Sequence, residues 1–526
     1  MLEFIVINVF IFRITLHYNK LSPPFTIHFM SQLKKLAGQT AVYGLSSIIG
    51  RFLNYLLVPL YTYNFMPQEY GVVTEMYAYV SFLIVFLTYG METGYFRFSM
   101  EENEEHPVYS TILVSLIASS AIFLTLAVLF SNKLGNILAM QQGGSGGLSS
   151  ADYSRYVIWF TLIVSLDAVT TIPFAQLRAA GKAKKFAVIK LLNLGMNIGF
   201  NLFFILLCPY IIRSGNPALV SIIGKVYNPV VGVGYIFIAN LIASIFTLLL
   251  LLPDMLGVKF RFDPQLWKKI VGYSLPLLIL GIAGVINENI DRIMLKWLLV
   301  LPFNEKMAQI GIYGACYKLS IVMTISIQAF RYAADPFFFS HAKNKDAPQL
   351  YADVMKFFVI GCSFIFLLTM MYIDVVKYFV GKNFHSGLNI VPILLLANLC
   401  LGVYFNLSIW FKLTDKTRFG AYISIGGALI TIILNYWWIP IMGFTGAAWA
   451  TLVCYASMMV ASYIFGQRHY PVNYDNKRIL GYLGLALSLY FISTIIHTGE
   501  YLHLFINTIL LLVYVMIVFI TERGKN

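Results

Sequence analysis

Apolar runs of roughly 20 residues recur along this chain, each long enough to cross about 30 Å of hydrocarbon as a helix. About fourteen of them can be marked off in the 526 residues. Membrane-spanning strands need only about 9–11 residues and alternate apolar with polar positions, so runs of this kind exclude a β-barrel. Only 11% of the residues are charged, against about 25% in average usage, and mean hydropathy is +0.76. The fold class is an all-α polytopic membrane protein.

A net charge of +14 would suggest a nucleic-acid partner in a soluble protein. Here its distribution argues otherwise, and no nucleic acid is expected. Lysine and arginine collect in alternate loops: Arg178, Lys182, Lys184 and Lys185; Lys259, Arg261, Lys268 and Lys269; Lys343 and Lys345; Lys412, Lys416 and Arg418; Arg468, Lys477 and Arg478. The loops around Pro67 and Gly443 are nearly bare. This is the positive-inside pattern, and it predicts that both termini lie in the cytoplasm.

One apolar run departs from the rest. Residues 276–296 begin as a membrane-grade helix and then carry Glu288, Asp291, Arg292 and Lys296 without leaving the hydrophobic background. On a helix Glu288, Arg292 and Lys296 stack at i, i+4 and i+8, with Asp291 beside them. A charge at bilayer depth costs at least ~2.5 kcal/mol on insertion scales, so it must face protein or water. Two readings stand: Asp291 and Arg292 neutralise each other and lock helices together, or this face lines a substrate or ion path.

Other runs carry polar positions too. The span near 37–64 has Gly44, Ser47, Arg51 and Asn54 on one stripe, with Arg51 at mid-membrane. The next, near 70–97, places Glu92 and Arg97 at its inner end. Asp167 lies in the span near 155–177 and is either a cavity residue or a packing partner. Asn193, Asn197 and Asn201 accompany Gly195 and Gly199, whose GxxxG spacing predicts a close helix contact. Lys318, Gln328 and Arg331 lie near 310–333, with Asp335 just beyond. The final pair of spans, near 479–497 and 501–521, has almost no polar interior and is expected at the periphery.

Residues 1–30 read as an N-terminal extension. The apolar stretch there is short, holds Arg13 and lacks a small-residue cleavage site, so a signal peptide is not expected. Gly143-Gly-Ser-Gly-Gly147 formally matches GxSxG, but a nucleophile elbow needs a strand before it and a helix after it. It reads as a flexible linker. The five cysteines fall in or beside apolar spans with no CxxC spacing, so neither a disulfide framework nor a metal site is expected.

The chain also repeats itself. Gly181-Lys-Ala-Lys-Lys-Phe, running on to Asn201, aligns without gaps on Asp415-Lys-Thr-Arg-Phe-Gly, running on to Asn435, an offset of 234. Tyr70-Gly71 matches Tyr313-Gly314 at an offset of 243 and sets Glu92 against Asp335. An even number of spans separates the copies, so they run in the same direction. Such a parallel repeat predicts two six-helix lobes about an axis along the membrane normal, with a cleft between them. The expected division is 31–253, 254–468, and two extra helices with a tail over 469–526.

Over roughly residues 31–521 the chain resembles the multidrug/oligosaccharidyl-lipid/polysaccharide exporter superfamily, in its bacterial polysaccharide flippase branch. The resemblance is carried by Pro67-Gln-Glu-Tyr-Gly71, by Asp167 through Phe186 with the Leu-Arg-Ala-Ala-Gly-Lys-Ala-Lys-Lys turn, by Ser274-Leu-Pro276, by Asn289-Ile-Asp291-Arg292, and by Gly311-Ile-Tyr-Gly-Ala-Cys-Tyr-Lys318-Leu. It implies alternating access and movement of an undecaprenyl-diphosphate-linked oligosaccharide to the outer leaflet of a bacterial inner membrane. Surface polysaccharide of the lipopolysaccharide and O-antigen kind would follow, with a polysaccharide polymerase as partner and Na+ or H+ as coupling ion.

Arginine suits a diphosphate because its planar fork donates bidentately and stays charged. Arg51, Arg292, Lys318 and Asn54 are therefore the substrate-binding candidates. Asp291, Glu288, Asp167, Glu92, Asp335 and Arg331 are candidates for coupling or gating. No cofactor is expected. A multidrug exporter of the same superfamily is the alternative, favoured by Glu288, Asp291 and the 16% aromatic content. An enzyme would need a positioned acid, base or nucleophile, and no HxxxH, DxD or P-loop pattern is present. A mere scaffold is disfavoured by its costly buried charge.

Overall fold

A computed structural model describes residues 49–101, 105–139, 149–342, 344, 346–496 and 499–523. Residues 1–30, the Gly143–Gly147 stretch and the first part of the span expected near 37–64 lie outside them. All regular structure among the described residues is helical. In chain order the main helices are α1 (Leu57–Asn64), α2 (Pro67–Thr88), α3 (Met91–Glu101), α4 (Glu105–Leu129), α5 (Ser150–Ala179), α6 (Ala183–Leu202), α7 (Gly234–Leu256) and α8 (Pro264–Leu298). They continue as α9 (Phe303–Leu319), α10 (Ile321–His341), α11 (Ala347–Met371), α12 (Val391–Leu407), α13 (Arg418–Met442), α14 (Phe444–His469), α15 (Asn476–Ile495) and α16 (Glu500–Arg523). Among the described residues twelve helical spans are long and apolar enough to cross a membrane, and α9 with α10, bent by 46°, forms a thirteenth if taken together.

The helix ends follow from local chemistry. Pro67 opens α2 at the position where a missing N–H costs nothing, and the Glu69 carboxylate accepts the Met66 N–H at 2.8 Å. The Asp263 carboxylate caps α8 by accepting the Gln265 and Leu266 amides at 2.9 and 3.1 Å. The run expected as one helix near 70–97 is two. Tyr89 (φ 32°) and Gly90 (φ 73°) are both left-handed and break the ladder between α2 and α3.

The repeat is visible in backbone geometry. Gly181 and Asp415 both adopt positive φ, 67° and 56°. Each is followed by the same wide bond: Lys182 N–H to the Leu177 carbonyl at 2.8 Å, and Lys416 N–H to the Phe411 carbonyl at 2.9 Å. Further along, Asn201 donates to the Asn197 carbonyl at 2.7 Å and Asn435 to the Thr431 carbonyl at 2.8 Å. Every partner lies 234 residues from its counterpart, as the alignment requires.

One expectation is corrected. A Cβ built on Gly195 or Gly199 meets nothing within 4 Å among the described residues, so no described helix packs closely on this GxxxG. The last two helices are tied down by polar groups despite their apolar composition. Asn507 donates to the Met371 carbonyl at 2.7 Å and accepts from Ser493 at 2.6 Å. Glu522 accepts from Lys356 at 2.7 Å, from Tyr482 at 2.7 Å and from Arg478 at 3.2 Å, joining α16 to α11 and α15. Glu522→Ala is expected to lower stability by about 1.5–3 kcal/mol, the worth of a charged hydrogen bond. Thermal unfolding of the purified protein measures it, and an unchanged midpoint would show that apolar packing alone holds the pair.

Candidate functional site

Three of the four charged side chains at this end of α8, Asp291, Arg292 and Lys296, are buried. Asp291 and Arg292 are 3% and 7% exposed. One Asp291 oxygen accepts from the Arg292 guanidinium at 2.7 Å and from the Arg292 amide at 2.8 Å, while the other accepts from the Tyr313 hydroxyl. The guanidinium lies 4.3 Å from the centre of the Tyr317 ring and also donates to the Glu288 carbonyl. Its charge is thus met by one carboxylate, one carbonyl and two tyrosine rings, which is how an arginine is accommodated away from water. Asn287, on the same helix, donates to the Ser424 carbonyl at 3.1 Å and fixes α8 to α13.

One turn further along α8, Lys296 meets a partner that reading the sequence missed. Its ammonium donates to Glu75 of α2 at 2.5 Å, and both side chains are 0% exposed. The Tyr153 hydroxyl of α5 lies 3.5 Å from the second Glu75 oxygen, and Lys296 sits 4.9 Å from the centre of the Tyr153 ring. The sequence did hold a signal. Glu75 is an acid in the middle of the apolar helix α2, and intramembrane acids seek a cation.

The same end of the molecule, opposite the basic loops, is closed by very near backbone contacts between α2 and α9. A Cβ added to Gly71 would strike the Met307 carbonyl, and one added to Gly311 would strike the Pro67 carbonyl. The contact is reciprocal, with counterparts 240 residues apart; Thr74 and Gly314, also 240 apart, touch each other. Residues astride a twofold axis behave this way. The structural register here is thus 240 rather than the 243 read from Tyr70-Gly71 and Tyr313-Gly314, because the glycines that meet set the register.

Lys318, on α9 one residue past Tyr317, is half-buried. It pairs with no carboxylate among the described residues, and Arg292 and Glu288 are its charged neighbours. The Glu288 side chain is exposed.

The remaining candidates are spread out. Arg51 and Asn54 are exposed on the helical stretch before α1, where Asn54 accepts from Asn197 at 3.5 Å. No hydrogen bond or ion pair joins Arg51 to the Asp291–Arg292 pair among the described residues. Asp167 is half-buried on α5, accepts from Ser244 at 2.9 Å, and has Lys190 as a charged neighbour. Glu92 forms an ion pair with Arg178 at the basic end. Arg331 lies 3.9 Å from the centre of the Phe405 ring. Asp335 is on α10, and its side chain lies outside the described residues. Among the described residues no group of histidine, cysteine and acidic side chains is arranged to hold a metal.

No family model matches the sequence, and no curated protein matches it. Solved structures match the fold. An inward-facing multidrug resistance MATE family transporter of the MOP superfamily superposes with a TM-score of 0.62 at 13% identity, covering 79% of this chain and 93% of that one. The lipid II flippase MurJ, in an inward closed conformation, gives 0.66 at 14% identity, covering 91% of this chain and 98% of that one. The MATE multidrug transporter DinF-BH gives 0.55 at 16%, covering 83% and 96%. The fold is the one these transporters share, and the protein is a multi-pass membrane protein.

Proposed function

We propose that this chain, built on the helical fold of the MOP-superfamily transporters, flips a lipid-linked oligosaccharide diphosphate across a membrane by alternating access. Its substrate is an undecaprenyl-diphosphate-linked oligosaccharide, moved from the cytoplasmic to the outer leaflet of a bacterial inner membrane and handed to a polysaccharide polymerase. The observation that carries this reading is Lys318: a half-buried ammonium on a membrane helix, with Arg292 as a charged neighbour and no ion-paired carboxylate of its own among the described residues. A phosphate oxygen is a strong acceptor for such an ammonium, and the neighbouring arginine adds positive charge. The wider match to the lipid II flippase, 91% of the chain against 79% for the first MATE transporter, supports the same reading.

In this scheme the halves 31–253 and 254–468 rock against each other, with both termini on the cytoplasmic side that the basic loops mark. Asp167 and Glu288 supply carboxylates for a coupling Na+ or H+. Lys318→Ala is expected to weaken retention of undecaprenyl diphosphate by about tenfold, the value of one charged hydrogen bond. Quantifying lipid bound to the purified protein tests this, and unchanged retention would remove Lys318 from the site. Exposed Glu288 and half-buried Asp167 favour a second reading, export of cationic drugs, in which an imposed ion gradient would drive a cationic dye.

A further inference from the structure

We infer that Lys296 is a second anion station, masked in this conformation by Glu75, and that it takes the substrate's diphosphate when the two halves part at the end opposite the basic loops. The inference rests on the flippase reading. Its physical basis is a difference between two ion pairs. Asp291 and Arg292 belong to one helix, so their contact survives any movement between halves. Glu75 and Lys296 sit on α2 and α8, on either side of the division, and both are wholly buried.

The Glu75–Lys296 pair shares its region with the Gly71–Met307 and Gly311–Pro67 contacts that close this end. Opening there must break all of them. Separated from Glu75, Lys296 would be a bare ammonium in an apolar interior, an expensive state that holds the end shut. A phosphate group removes that penalty by accepting the same proton donors as the carboxylate did. Arg292 lies four residues earlier on α8, about 5–6 Å away between Cβ atoms, a step the two phosphoryl groups of a diphosphate can bridge. Substrate thus passes from Arg292 and Lys318 to Lys296, and its arrival there releases Glu75. The far end opens when a diphosphate is present and stays shut when none is.

Spin labels at Met66→Cys and Asn304→Cys test this. Both positions are exposed at the closed end, on opposite halves, and the native cysteines are replaced by alanine. In nanodiscs, pulsed electron–electron resonance is expected to show a short distance that lengthens on adding undecaprenyl diphosphate but not undecaprenol. The double variant Glu75→Gln/Lys296→Gln keeps a neutral hydrogen-bonded pair. With neither the ammonium that holds the end shut nor a cation for the phosphate, its distance is expected to be the same with and without undecaprenyl diphosphate at the concentration that lengthens it in wild type. Lys296→Arg is expected to restore the response. If the double variant opens at the wild-type concentration, or if wild type ignores undecaprenyl diphosphate, the masked station is overturned. Retention of the lipid at Lys318 judges the flippase reading separately.

Discussion

Asp291→Ala is expected to cost about 3–5 kcal/mol of stability, enough to remove most folded protein from the membrane. The substitution strips the Arg292 guanidinium of its carboxylate and the Tyr313 hydroxyl of its acceptor, and both partners are buried. Asp291→Asn also leaves the guanidinium without a counter-charge but keeps an acceptor of nearly the same shape for Arg292 and Tyr313, so it is expected to lose less. The pair of variants separates the two readings that the sequence left open. If Asp291→Asn folds but stops transport, the charge lines a path; if it folds and transports normally, the Asp291–Arg292 pair is a lock between helices. Thermal unfolding and transport assayed on the same preparation decide it.

Gly71→Val is the second large effect. Its side chain would enter the Met307 carbonyl, which is backbone and has no rotamer to turn aside. Overpacking of this kind costs about 1–3 kcal/mol, and here it can be relieved only by moving α2 from α9. The closed end is therefore expected to stand open. A cysteine in place of Met76, 3% exposed in the closed arrangement, should then react with a water-soluble thiol reagent much faster than in the parent chain. Gly311→Val, striking the Pro67 carbonyl, should reproduce the result from the other half. Equal labelling rates would mean that the α2–α9 contact does not seal this end.

How much of this could be read in the sequence depends on what each feature needs. The charges on α8 were legible because they violate the apolar pattern around them, and the Gly181 and Asp415 turns because an ungapped match fixes their register. Glu75 was not singled out. It violates the same pattern, yet its significance lies in Lys296, 221 residues away, which only tertiary structure brings near. Helical periodicity gives Arg51 a face but cannot say what covers it, and the structure leaves it exposed. The spacing of Gly195 and Gly199 permits a close contact without supplying the second helix, and none of the described helices approaches. Apolar composition likewise marked the last two helices as peripheral, while a few polar groups such as Asn507 and Glu522 decide where they dock.

The central claim is that a lipid-linked diphosphate changes leaflet through this protein. Reconstituting it in liposomes with a labelled undecaprenyl-diphosphate oligosaccharide, and following enzymatic access to the sugar from outside, measures that movement directly. Transfer is expected in liposomes containing the parent chain and is expected to be lost with Lys318→Ala. Oligosaccharide that stays in its original leaflet, while a cationic dye crosses under an ion gradient, would contradict the account and make the protein a drug exporter.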